Sequence, residues 1–204
     1  MPYGYLGTTP NQQLNNSGVV SGEEALALKN LGELGGSMEL IQSQTASDAV
    51  VNFTNLGDYD VHFVTFNNVM LSTDDELLGH RLSNASGSVT SGYQFAIQYN
   101  ADSGGNGASV NTSYGYLSTL GASGNAVREV KNGYVYYYNL LNSSKYSFCT
   151  LQSYSKASVT ESLFGGGVLP TAETHNAISF LTTGGSAITS GTFKLYGVKQ
   201  IWVT

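Results

Sequence analysis

From residue 37 onward, apolar positions recur at every second residue in short runs broken by Gly, Ser, Asn and Asp. This period is the mark of β-strands that bury one face. Strands are expected over 37–44, 49–55, 61–71, 77–84, 92–100, 114–119, 133–140, 145–154, 176–182 and 192–203. Ten strands at such close spacing imply two stacked sheets, joined by short hairpins such as Asn142-Ser143-Ser144. In the last run Phe193 and Leu195 alternate with Thr192, Lys194 and Tyr196, so the chain is expected to end inside its sheet, with Ile201 and Trp202 at the interior or a subunit seam. Gly191 and Gly197 are placed to allow a turn and a bulge there. The stretches 100–111 and 120–132 read as mobile Gly- and Ser-rich loops. Gly165-Gly166-Gly167 reads as a flexible loop, and the absence of a fixed repeat argues against a propeller or solenoid.

Residues 1–20 show neither the helical nor the strand period and read as an extended arm. Ser21 and Glu24 then form a capping box, followed by a short helix over 22–31 with Ala25, Leu28 and Leu31 on one stripe and glycines beyond it. The organisation is therefore 1–36, arm and short helix, and 37–204, an all-β domain. The fold class is all-β, a jelly-roll-like β-sandwich with an extended N-terminal arm and one short helix.

Charge narrows the function. Asp, Glu, Lys and Arg make up 11% of the 204 residues, against roughly 25% in an average soluble protein. Solubility then rests on hydroxyl, amide and glycine positions, a surface suited to close assembly contacts or to neutral sugar. A net charge of −6 with 8 Lys+Arg argues against a nucleic-acid partner. No window has the run of apolar residues that membrane insertion by a helix needs, and the N-terminus lacks a signal-peptide pattern, so synthesis is expected in a cytoplasm. Cys149 is the single cysteine, which excludes a disulfide framework. Strand alternation sets it opposite Phe148, where a buried, inert thiol is the plain reading.

No catalytic, metal or cofactor constellation stands out. Asp58-Tyr59-Asp60 and Asp74-Asp75-Glu76 lack the twelve-residue calcium-loop pattern and read as turn formers, Asp58 and Asp60 setting the turn before residue 61. Glu39, Glu129, Glu161 and Glu173 sit in ordinary strand or loop contexts, although a pair meeting across a groove is the arrangement glycoside hydrolysis needs. His62, His80 and His175 have no Ser-His-Asp spacing and read as structural. Tyrosine is the remaining excess, at 14 residues. Tyr134, Tyr136 and Tyr138 share one face of a strand, with Val135 and Tyr137 on the other. That row suits either glycan or partner contact or cross-strand packing.

Four segments carry a family resemblance. The terminal Gly-Thr-Phe-Lys-Leu-Tyr-Gly-Val-Lys run (191–199), Tyr5-Leu6-Gly7-Thr8-Thr9-Pro10, Gly35-Gly36-Ser37-Met38-Glu39-Leu40-Ile41 and Asp58-Tyr59-Asp60-Val61-His62-Phe63-Val64 resemble small bacteriophage virion proteins built on β-sandwiches. Together they span about a fifth of the chain. The resemblance implies a non-enzymatic structural protein on the virion surface, either a capsid-decorating (cement) protein or a head- or tail-fibre module. Such a module would dock on capsid, portal, adaptor or tail proteins through Tyr3, Tyr5, Leu6 and Pro10, and would assemble as a homo-oligomer, by likeness a trimer. The alternative is a carbohydrate-binding module or glycan-active enzyme that meets host surface glycan.

Overall fold

In Ser147-Phe148-Cys149-Thr150-Leu151-Gln152-Ser153-Tyr154-Ser155-Lys156, every odd-numbered residue is buried and every even-numbered one exposed. That alternation recurs through the computed structural model, which describes residues 21–23, 26, 38–118 and 124–199. Among the described residues, thirteen strands lie within one compact unit, Ser37–Thr204. They are β1 Met38–Thr45, β2 Val50–Phe53, β3 Val61–Leu71, β4 Leu78–Asn84, β5 Gly87–Ser88, β6 Gln94–Ala101, β7 Asn106–Asn111, β8 Gly115–Tyr116, β9 Lys131–Tyr138, β10 Ser147–Lys156, β11 Thr160–Leu169, β12 Ala177–Thr182 and β13 Ile188–Val198. The protein is all-β, with two antiparallel sheets. One sheet has eight strands in the order β1-β13-β3-β9-β10-β11-β6-β7; the other runs β2-β12-β4-β5, with β8 also paired to β4.

The buried faces of the two sheets meet in one apolar cluster. Phe180 of β12 packs on Phe193 of β13 with ring centroids 5.0 Å apart, and Phe193 stacks in turn near Phe66 of β3 at 6.2 Å. Each such ring, fully removed from water, contributes on the order of 1.5–3 kcal/mol by transfer. His80 of β4 crosses the same interval to stand edge-on to Tyr137 of β9 and to Phe95 of β6.

Ten strand expectations correspond to ten observed strands, with shifted ends. The run at 61–71 coincides with β3, whereas the one at 114–119 shrinks to the two-residue β8 and the last one ends at Val198, with 200–204 outside the described residues. Gly191, the site of the expected turn, lies inside β13: its φ of +123°, a backbone that L side chains rarely adopt, falls at a register shift between β13 and β3. Gly197, the site of the expected bulge, pairs in regular register with Glu39 and His62.

Three expectations are corrected. Gly165-Gly166-Gly167 is the middle of β11, paired on both sides to β10 and β6. The glycines are there because neighbouring backbone comes close: a Cβ on Gly165 would lie 2.3 Å from the Ala96 carbonyl oxygen, and one on Gly167 2.5 Å from the Phe95 ring. The stretch 100–111 is a hairpin arm, since Asn106–Asn111 forms edge strand β7 against β6 after a turn closed by Ala101 N–H donating to the Gly105 carbonyl at 2.7 Å. In 120–132, Lys131 and Asn132 belong to β9. No helix is among the elements of the described residues. The one expected over 22–31 lies largely outside them, as do the arm 1–20 and Ile201 and Trp202.

Candidate functional site

The strand register assembles an aromatic surface on the outward face of the eight-stranded sheet. In β9, Val135 and Tyr137 point inward and are fully buried, so Tyr134, Tyr136 and Tyr138 face out and are half-buried. Tyr136 pairs across to Phe63 of β3, and Phe63 to Tyr196 of β13. The Phe63 ring lies 4.5 Å from Tyr136, 5.7 Å from Tyr134 and 6.0 Å from Tyr196. Tyr136 and Tyr138 stack at 6.5 Å. On the other side, Tyr138 pairs with Phe148 of β10, and Tyr134 with Gln152. Phe148 and Phe164 are each 45% exposed and Tyr154 55%. Of the two readings of the tyrosine row, the geometry bears on cross-strand packing: the rings pack across strands, and they border an exposed surface.

Two tyrosine hydroxyls are tied down on that surface. Tyr134 O–H donates to Gln152 Oε1 at 2.9 Å, and the Tyr138 hydroxyl lies 3.2 Å from Thr150 Oγ1. These bonds hold polar groups in place beside the rings. Phe63, Phe148, Tyr154, Phe164 and Tyr196 are members of this face that the sequence reading did not assign to it. Each strand's alternation marks its own outward residues; the order in which strands pair is what collects them.

The structure also joins Ser147, His175 and Glu173, which lie far from the spacing of any hydrolase motif. Ser147 Oγ is 2.8 Å from His175 Nδ1, and His175 Nε2 is 3.2 Å from Glu173 Oε1. The order serine, imidazole, carboxylate resembles a nucleophile with its base and orienting acid. Its setting does not. Ser147 and His175 are both buried, and the cavity lined by Ser147, His80, Tyr137 and Cys149 holds only about 10 Å³, room for about one water. Burial holds the His175 pKa below its ordinary value, opposed in part by Glu173. The string ties strands together: Glu173 also accepts from Asn84 Nδ2, and His175 N–H donates to the Leu140 carbonyl.

The other singled-out groups take structural places. His62 Nε2 lies 2.9 Å from the Leu56 carbonyl in the core, its pKa lowered by burial. His80 is enclosed by rings and burial pushes its pKa down to about 3. Burial pushes the Cys149 thiol up to about 12, leaving it un-ionised and inert at neutral pH. Asp74 accepts from the Asn125 amide, and Glu76 from the Ser186 amide. Asn55, rather than Asp58 or Asp60, accepts from the Gly57 amide at the turn before β3. Glu39 pairs with Lys199 at 3.2 Å, Glu129 accepts from the Ala126 amide, and Glu161 is buried, its carboxyl raised by desolvation. These glutamates lie on different elements: Glu39 on β1, Glu161 on β11, and Glu129 and Glu173 in separate loops. Among the described residues no cluster of three or more His, Cys, Asp or Glu is placed to hold a metal ion, and no helix is long and apolar enough to cross a membrane. Tyr3, Tyr5, Leu6 and Pro10 lie outside the described residues.

Searches of protein-family models, of curated proteins and of solved structures each return no match to this chain.

Proposed function

We propose that the chain is a non-enzymatic structural protein of a bacteriophage virion, a jelly-roll β-sandwich that docks by its N-terminal arm and displays its body at the particle surface. The observation that carries this reading is the pairing order. With β5–β7 and β10–β11 set aside, the remaining strands run β1-β13-β3-β9 in one sheet and β2-β12-β4-β8 in the other. Following the chain, β1 to β2, β2 to β3, β3 to β4, β8 to β9, β9 to β12 and β12 to β13 each pass from one sheet to the other, while β4 to β8 stays within one. That winding supports the reading as an eight-stranded jelly roll, an architecture common to viral coat and lectin domains. The five other strands are insertions that widen one sheet and lengthen the rim of the other. The four resembling segments supply the phage assignment, and the low charge suits a packed particle surface.

Within this reading the chain is a capsid-decorating protein or a head- or tail-fibre module, held to capsid, portal, adaptor or tail proteins through residues near Tyr3, Tyr5, Leu6 and Pro10, and self-associated as a trimer. The experiment is mass spectrometry and electron cryo-microscopy of purified particles, with light scattering of the isolated chain. The expected result is the chain in the particles, with its density outermost on head or tail and a trimer in solution. Particles that lack the chain overturn the proposal.

A second reading, a carbohydrate-binding module, is favoured by the aromatic outward face, because jelly rolls also serve lectins. It is compatible with the first if the displayed surface is the one that meets the host.

A further inference from the structure

The outward face of the large sheet is a trough. Thr150, Gly166 and Ala96 are direct cross-strand partners on β10, β11 and β6, and all three are small. On one side of this row stand Tyr138, Phe148 and Val168, also mutual partners, and on the other Gln152, Phe164 and Gln98. A row of small residues between two rows of large ones leaves a channel running across the strands. The wall rows are four residues apart along each strand, roughly 13 Å, and the channel from Tyr136 on β9 to Val110 on β7 crosses four strand spacings, roughly 19 Å. At its far end, Gln94, Ala96, Val110 and Thr112 border an open hollow of about 550 Å³, within the roughly 300–1,000 Å³ of ligand pockets. Val110, at that end, is 75% exposed.

We propose that this trough binds a neutral glycan chain. The inference rests on the reading of this sheet face as the displayed surface, and names what it takes. None of the residues forming floor or walls carries a charge; the one cation facing outward on these strands, Lys156 at the end of β10, stands outside the channel. A charged polymer therefore finds nothing here to offset its desolvation. A polypeptide laid across the face would need its backbone N–H and C=O groups paired, but the sheet's own backbone groups are spent in the ladders between β9, β10, β11 and β6. A sugar has the matching chemistry. Its hydroxyls both donate and accept, as do the amides of Gln94, Gln98 and Gln152 and the hydroxyl of Thr150, and its C–H faces lie against rings such as Phe148 and Phe164. The bonds of Tyr134 to Gln152 and of Tyr138 to Thr150 fix these groups before a ligand arrives, which lowers the ordering cost of binding.

The test uses the full chain in affinity electrophoresis and calorimetry with laminarin, dextran and mannan as neutral probes and alginate and heparin as charged ones. At least one neutral polysaccharide is expected to retard the protein and neither charged one to do so. Phe164→Ala, which removes a wall, should weaken binding about tenfold or more. Ala96→Phe, which fills the exposed floor, should abolish it. Val127→Ala, on an exposed position elsewhere, should bind as the unaltered chain, and all three variants should keep its melting temperature. Three results overturn the proposal: no retardation by any neutral probe, retardation by the charged probes alone, or an Ala96→Phe protein that binds undiminished. If light scattering shows self-association that Ala96→Phe abolishes, the face belongs to a second copy and the proposal also falls. Particle composition separates this inference from the one it rests on. An Ala96→Phe chain that still joins virions but takes no glycan leaves both standing, whereas a chain absent from virions that binds glycan overturns only the virion assignment.

Discussion

The Ser147 hydroxyl lies 2.8 Å from Nδ1 of His175, a bond between the first residue of β10 and the segment entering β12. Both side chains are buried, so neither has water as a substitute partner. Ser147→Ala leaves the imidazole nitrogen unsatisfied and is expected to cost about 1–3 kcal/mol. Denaturant unfolding of the single variants and of Ser147→Ala with His175→Phe checks this. The double variant should lose less than the sum of the two, because it removes the orphaned partner. Strict additivity would mean that the pair is not coupled.

Stability should fall on mild acidification, and His80 is the main cause. The ring stands among Phe95, Tyr137 and Phe180, neither nitrogen has a hydrogen-bond partner, and burial lowers the pKa from 6.5 to about 3. A histidine whose folded pKa lies below its unfolded value is no burden above pH ~6.5. As pH falls from there toward 3 the unfolded chain takes up the proton and the folded one does not, so stability is lost through that window, on the order of 4–5 kcal/mol in all. His62 and His175, also lowered, add in the same direction. Glu161, raised by burial, opposes them at the acid end. Urea midpoints measured from pH 7 to pH 4 should drop steeply for the unaltered chain and less for His80→Leu. Parallel curves for the two proteins would contradict this account.

Lys131 is a cost at neutral pH. Its side chain is fully buried on the inward face of β9, and Nζ has no hydrogen-bond partner. Desolvation lowers the ammonium to about 8, with Glu129 and Asp74 pulling the other way from the neighbouring loops. For a lysine lowered in the fold, the penalty is complete below pH ~8 and vanishes above the unfolded value near 10.5. Lys131→Met should therefore stabilise the protein at pH 7 by up to about 3 kcal/mol, and the gain should shrink between pH 8 and 10.5. Thermal melts of both chains across that range read it directly. An equal or lower melting temperature for Lys131→Met at pH 7 would show that the ammonium is partnered.

What the alternation of residues reveals and hides follows from the physics of a strand. β3 is legible through its first half because His62, Val64 and Phe66 alternate with Phe63 and Thr65, a pattern that breaks at Asn67 and Asn68, both exposed at a register shift, before Val69 is buried again. β11 is not, because three of its residues are glycines selected by close backbone approach rather than by polarity, and glycine carries the signature of a loop. β7 is hidden for another reason: an edge strand with few apolar side chains has no periodic face to show. The inward lysine at 131 lies just before the expected start of its strand, where a charged residue reads as solvent-facing. The large-sheet face was half visible, since Tyr134, Tyr136 and Tyr138 fall within one strand. Phe148 and Phe164 join it through hairpin pairings with Tyr138 and Gln152, and Phe63 through pairings with Tyr136 and with Tyr196, 133 residues away, and the pattern within one strand carries no information about which strands pair.

The last strand offers a matched pair of substitutions two faces apart. Phe193 is fully buried between Phe66 and Phe180, so Phe193→Ala removes a ring and leaves a cavity at the meeting of the two sheets, for about 3–5 kcal/mol. Tyr196, three residues on, points outward beside Phe63 at 6.0 Å and is half-buried. Tyr196→Ala forfeits one aromatic contact, roughly 0.5–1.5 kcal/mol beyond the area uncovered, and should melt close to the unaltered chain. Removing residues 192–204 is a larger step, because β13 lies between β1 and β3 and its loss unpairs both. Two ladders of backbone groups would then face either water or another molecule, and exposed strand edges next to an open core favour aggregation. Insoluble protein is the expected outcome, measured as the fraction recovered in the supernatant. A shortened chain that stays soluble and melts cooperatively would mean that β13 is an addition to a core that stands without it, and the ring-to-ring contacts of Phe193 would then have to be worth far less than their burial implies.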